Sequence, residues 1–135
     1  MENIIENNKL IAKFMNIEID DKQNLKSYRL TNSVYSSILL KSHTENLFFH
    51  DSWTWLMPVV EKIEQLKNGY GFTFSVKISG NYCTIESYNY SLIVRIVECN
   101  NITKFKSVYN ACIEFIKWYN EQNKNNEKHT CIIDK

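Results

Sequence analysis

The sequence predicts an α+β fold, a two-layer sandwich in which helices pack on one face of an antiparallel β-meander. Three observations carry that expectation. From Thr103 to Gln122 the apolar residues Phe105, Val108, Tyr109, Cys112, Ile116 and Tyr119 recur every three or four positions, with Phe115 widening the stripe. That spacing places them on one side of an α-helix. From Tyr70 the period drops to two: Tyr70, Phe72, Phe74, Val76 and Ile78 alternate with Gly71, Thr73, Ser75, Lys77 and Ser79, as in a half-buried strand. The connections that follow are short, with Gly80-Asn81 suited to a two-residue hairpin and a turn near Asn89 leading into a third strand. A helix with one apolar stripe needs a partner layer, and strands joined by short turns supply it.

Asn7 or Asn8 is placed to cap a short helix with Leu10, Ile11, Phe14 and Met15 on its apolar edge and Lys9 and Lys13 outside. Asn16 to Asn24 is polar, with Asp20 and Asp21 in a solvated turn. Ser27 to Leu30 and Ser33 to Leu40 have strand character around a Thr31-Asn32 turn, and Lys41 to Asn46 forms a loop. A second helix starts at an Asp51 or Ser52 N-cap and stops at Asn68-Gly69, with Trp53, Leu56, Met57, Val60, Ile63 and Leu66 on its stripe. Pro58 lies inside it, where the missing N–H and the ring predict a kink or a break.

In the hairpin the Gly80-Asn81 turn sets Ile78 opposite Cys83, Val76 opposite Ile85 and Phe74 opposite Ser87. The third strand, Ser91 to Glu98, carries Leu92, Val94 and Ile96 on one face and Ile93, Arg95 and Val97 on the other. Asn100 and Asn101 close it, and Thr103 caps the last helix. Phe74, Val76, Ile85, Val94, Tyr109 and Ile116 are expected in one contiguous core. Residues 1–122 then form a single domain, followed by a loosely held polar tail over 123–135.

The totals agree with one domain: 135 residues are enough to bury roughly two-thirds of the unfolded chain's surface. Sixteen Lys and Arg against fifteen Asp and Glu leave a net charge of +1, so no strong field draws the protein to phosphate or lets it imitate DNA. Cys83, Cys99, Cys112 and Cys131 show no CxxC spacing, and the first residues lack the pattern of a signal peptide. A reducing cytoplasm and free thiols are expected. No apolar run approaches the roughly 20 residues of a membrane span.

Motifs for catalysis are missing. His50-Asp51 resembles an acid–base fragment, but adjacent residues point apart, and a helix-capping role suits them better. His43 and His129 fall in a loop and in the tail, and no HxxxH or Cys/His ligand spacing occurs. With three glycines the chain holds no P-loop, GxGxxG or GxSxG, and Cys112 belongs to the buried stripe. No catalytic residue, metal or cofactor is therefore expected. One constellation does point to binding. The outer side of the sheet gathers Tyr82, Lys77 and Tyr88 with Ile93, Arg95 and Val97, and Lys77, Tyr82, Tyr88 and Arg95 are the candidate partner-binding residues. Tyr and Arg dominate protein interfaces, and aromatics with Lys and Arg also stack unpaired RNA bases, so a protein or an RNA partner fits. An ordinary outer face needs neither.

Three segments carry a resemblance: NKLIAKFM at Asn8 to Met15, SWTWLMPVVEKIE at Ser52 to Glu64 and SVYNACIEFIKWYNEQNK at Ser107 to Lys124. In order and content they are similar to a family of small proteins from Bacteroidetes and their phages, with Thr54 standing where that family has an acidic residue. The resemblance implies a phage or prophage accessory protein working in the cytoplasm of a bacterial host. It implies a non-enzymatic inhibitor of a host defence effector, in the manner of an anti-CRISPR protein against a type VI-B RNA-guided RNase. The implied partner is a protein or a CRISPR ribonucleoprotein, with RNA contact as the alternative and no membrane.

Overall fold

The structure, a computed structural model, describes residues 4–19, 25–28 and 47–133. Its elements are α1 (Ile4–Phe14), β1 (Ile17–Ile19), β2 (Leu25–Tyr28), α2 (Trp53–Gln65), β3 (Ser75–Ser79), β4 (Tyr82–Asn89), β5 (Leu92–Asn100) and α3 (Lys104–Ile133). The fold is α+β. Strands β3, β4 and β5 pair in sequence order as an antiparallel meander, and α3 crosses all three while α2 packs on α3 and β3. α1 packs on α3. Buried residues from every layer, including Ile11, Leu56, Ile85 and Ile116, belong to one cluster. Phe74 is edge-on to Phe115 at the join between sheet and α3, with centroids 4.9 Å apart.

α1 keeps the expected edge, with Ile11 and Met15 buried and Leu10 and Phe14 partly so, but its start differs. Asn8 lies within the helix and is buried, so it is not a cap. The helix is left through Asn16, whose φ of 60° is a left-handed conformation that Asn tolerates better than most residues. β1 and β2 then form a separate antiparallel hairpin. β1 occupies a stretch expected to be a polar connection, because Ile17 and Ile19 around Glu18 are too short an alternation to register as a period. The strand expected at 27–30 is found at Leu25–Tyr28, while the one at 33–40 and the loop at 41–46 lie outside the described residues.

α2 runs unbroken through Pro58. The proline removes the bond to the Thr54 carbonyl, yet Thr54 is exposed, and Trp55, Leu56, Val59 and Val60 on either side of Pro58 are buried. Packing on both turns therefore outweighs the lost bond. Trp55 and Val59 replace Trp53 and Met57 on the inner face, so the buried stripe is rotated from the expected one. Ser52 is the N-cap through its carbonyl, which accepts from the Trp55 and Leu56 N–H groups, while its side chain makes no cap bond.

The helix ends at Leu66, before Asn68, because Asn68 has another use. Its Oδ1 accepts from the Tyr70 and Phe72 N–H groups at 2.8 and 3.0 Å. Its Nδ2 donates to Ser87 Oγ at 2.9 Å and to the Tyr88 carbonyl at 2.7 Å. These bonds and a left-handed Gly71 at φ 86° curl the chain into a loop closed by the Lys67–Thr73 bridge. The strand expected from Tyr70 accordingly starts at Ser75, and Tyr70 and Phe72 stay exposed.

In the β3–β4 hairpin Ile78 faces Cys83 and Val76 faces Ile85, the register that the turn position dictates. Between β4 and β5 a bulge intervenes: Ile85 pairs with Val97 but Glu86 with Arg95, so Ile96 is an extra residue on β5. Past the bulge the alternation changes phase. Val97, expected outside beside Arg95, is buried in the core, while Val94 keeps the helix side as expected but is 39% exposed there rather than buried.

Thr103 caps α3 as expected, its Oγ1 accepting from the Lys106 N–H at 3.1 Å. The helix then continues to Ile133, through the residues 123–133 expected to be a loose tail. After Gly80 the sequence contains neither Gly nor Pro, so nothing in the chain stops it.

Candidate functional site

The sheet brings three of the four sequence-predicted binding residues together and gives them a different occupation. Glu86, on the central strand, has a side chain only 10% exposed and stands between Lys77 on β3 at 3.0 Å and Arg95 on β5 at 3.3 Å. Arg95 also reaches Glu98 at 3.2 Å, and the Tyr82 hydroxyl donates to the other oxygen of Glu98. Lys77, Tyr82 and Arg95 are thus engaged with two glutamates in a chain of ion pairs that ends in a hydrogen bond. The bond from Lys77 holds the Glu86 carboxyl below the usual carboxylate range against the opposing effect of burial, and Arg95 adds to it. Glu98 is held low first by the Tyr82 hydroxyl and then by Arg95, and the same bond pushes the Tyr82 phenol up. Two positive and two negative charges cancel.

Tyr88 is placed apart. It belongs to the end of the sheet where β4 turns into β5 at Tyr90, a non-glycine residue at φ 57°. That end is apolar and open. Tyr90 is 74% and Leu92 67% exposed, and Tyr70, Phe72, Tyr88 and Ile93 are exposed as well. The rings of Tyr70 and Tyr90 lie 5.4 Å apart and those of Phe72 and Tyr88 6.1 Å apart, so the loop held by Asn68 meets the β4–β5 end of the sheet through two aromatic pairs. Grouped exposure of this kind marks an interaction site more than scattered residues do.

Sequence reasoning found Tyr88 and Ile93 and missed Tyr70 and Phe72, because these two fit a strand period that would have buried them. The signal was local: Asn68-Gly69 and Gly71 within four residues mark a loop rather than a strand start. Glu86 and Glu98 were missed because the bulge shifts their pairing with Arg95.

His50 and Asp51, expected to point apart and to cap the helix, do neither: His50 Nε2 lies 3.6 Å from Asp51 Oδ2, and the cap is the Ser52 carbonyl. Asn8 Nδ2 donates to the Leu47 carbonyl at 3.2 Å, which fixes its amide, and the same Nδ2 lies 2.9 Å from His50 Nδ1. The Tyr109 hydroxyl donates to Asn8 Oδ1 at 2.9 Å, so the group ties α1, the chain before α2 and α3 together. Cys83 and Cys99 are cross-strand partners over the buried Cys112. Burial pushes the Cys83 thiol up to about 11 and the other two upward as well, which favours their protonated form at neutral pH. Among the described residues no group of three or more His, Cys, Asp or Glu is placed to hold a metal ion, and no helix is long and apolar enough to cross a membrane.

Compared with family models, with curated proteins and with solved structures, the chain matches none.

Proposed function

We propose that the protein acts by binding another protein, through the open end of the sheet formed by Tyr70, Phe72, Tyr88, Tyr90, Leu92 and Ile93. The observation that carries this is the grouped exposure of those six apolar side chains on a backbone braced by Asn68. A pre-organised patch loses little entropy on docking, and aromatic anchors of this kind supply most of the energy at protein interfaces. Following the family it resembles, the protein is an accessory factor of phage origin that disables a host defence effector without catalysis. A type VI-B RNA-guided RNase is the first partner to test.

RNA binding through the outer face is the weaker alternative, because Lys77 and Arg95 are already neutralised by Glu86 and Glu98. The experiment is affinity capture from a Bacteroidetes lysate with the tagged chain, followed by a cleavage assay on the recovered effector. Recovery of one large effector whose activity falls with added protein supports the proposal. Capture of no effector, together with salt-sensitive binding of bare single-stranded RNA, replaces it with the alternative.

A further inference from the structure

On the helix side of the same end of the sheet lies a cleft of about 580 Å³, walled by the sheet, by residues 67–70 and by the Trp118–Asn123 stretch of α3. We propose that it binds a planar, acceptor-rich anion of nucleotide size, with nucleoside monophosphates as the chemical class. The volume lies inside the range of roughly 300 to 1,000 Å³ usual for small-molecule sites. Phe74, Val94, Ile96 and Trp118 give it an apolar, partly aromatic lining suited to a flat ring.

The polar lining points the same way. It contains Lys67 and the carboxamides of Asn89, Gln122 and Asn123, and no Asp or Glu. Among the described residues these four side chains have no hydrogen bond or ion pair to a neighbour, whereas Asn68 in the same wall has both ends of its amide engaged. Asn68 is scaffold, and the other four are free to meet a ligand. Carboxamides match the alternating donor and acceptor edge of a nucleobase, as they do in nucleic-acid readers. An unpaired ammonium supplies the charge for a phosphate. A cation would find no counter-charge there, and a bare anion would leave the aromatic lining in water.

This inference does not depend on the docking proposal, since its probes are small and the effector is not involved. Purified full-length chain is titrated with adenosine 5′-monophosphate, adenosine and inorganic phosphate by calorimetry, while the indole N–H resonance of Trp118 is followed by NMR. The monophosphate should bind saturably and move that resonance, adenosine should bind about tenfold more weakly for want of one charged contact, and phosphate alone should leave Trp118 unmoved. Lys67→Glu should weaken the monophosphate at least about tenfold, and Gln122→Ala a few-fold. Both side chains are exposed, so thermal unfolding should match the parent. The proposal is overturned by an unmoved Trp118 resonance at millimolar monophosphate, by equal affinity for adenosine, by phosphate binding as tightly as the monophosphate, or by unaltered binding to Lys67→Glu.

Discussion

The middle of the outer sheet face and its open end both carry tyrosines and use them in opposite ways. At the middle, Tyr82, Lys77 and Arg95 face two carboxylates and are satisfied within the chain. At the open end Tyr88, Tyr90 and Tyr70 contact other rings and water, and no charge is paired there. A tyrosine or an arginine is a binding anchor only if its partners are left outside the molecule. Residue type therefore identifies a candidate surface, and the pairing register decides whether it is free.

The comparison rests on a shared foundation, and the largest expected effect tests that. Ile116→Ala empties a fully buried position of the core and should cost about 2 to 5 kcal/mol in urea unfolding. A cost below about 0.5 kcal/mol, the usual range of a surface change, would mean that α3 is not packed there. The open end should matter for binding and not for folding. Replacing Tyr90 by Ala and Leu92 by Ser should weaken partner capture by about 30-fold or more, roughly 2 kcal/mol, with an unchanged melting temperature. The same capture assay with Lys77→Ala should show no loss. If Lys77→Ala abolishes capture and the open-end variant does not, the assignment of the two regions is reversed.

Asn68 links the two views, because it gives the open end its shape from inside. Asn68→Ala removes two accepting and two donating bonds and should cost about 1 to 2 kcal/mol, with hydrogen exchange rising at Tyr70 and Phe72. Unchanged exchange at those amides would show that the loop holds itself.

The smallest effect is in pH. The Glu86 carboxyl is held low in the folded chain by Lys77 first, against burial, with Arg95 contributing. Its contribution is therefore fully present above the unfolded value of about 4.3 and is lost as pH falls through the lower folded value. Glu86→Gln should flatten that part of the acid-unfolding curve and leave the curve near neutral pH with the same slope. An identical acid limb in both proteins would show that the ion pairs of Glu86 do not stabilise the fold.

Much of the fold was legible in the chain because its signals are short-range. The period of α3, the cap at Thr103, the Gly80-Asn81 turn and the Ile78–Cys83 register each depend on residues close in sequence, and each stands where local chemistry puts it. Other features had competing local readings. Pro58 argued for a break that packing on both sides prevents, and Tyr70 and Phe72 argued for a strand that Asn68 curls away. The buried Asn8, shared between Leu47, His50 and Tyr109, has no local signature, since its partners lie up to 101 positions away.

The sequence by itself determined the α+β class and the order and period of the main elements. Only the tertiary structure decided which side chains are free. One bulge between Ile85 and Glu86 turns Val97 into the core and sets Arg95 against Glu86. It thereby removes the predicted charges from the binding surface and leaves the aromatics at the open end. A bulge is one residue of mismatch between two strands, so it is a property of the pair and is written in neither strand alone.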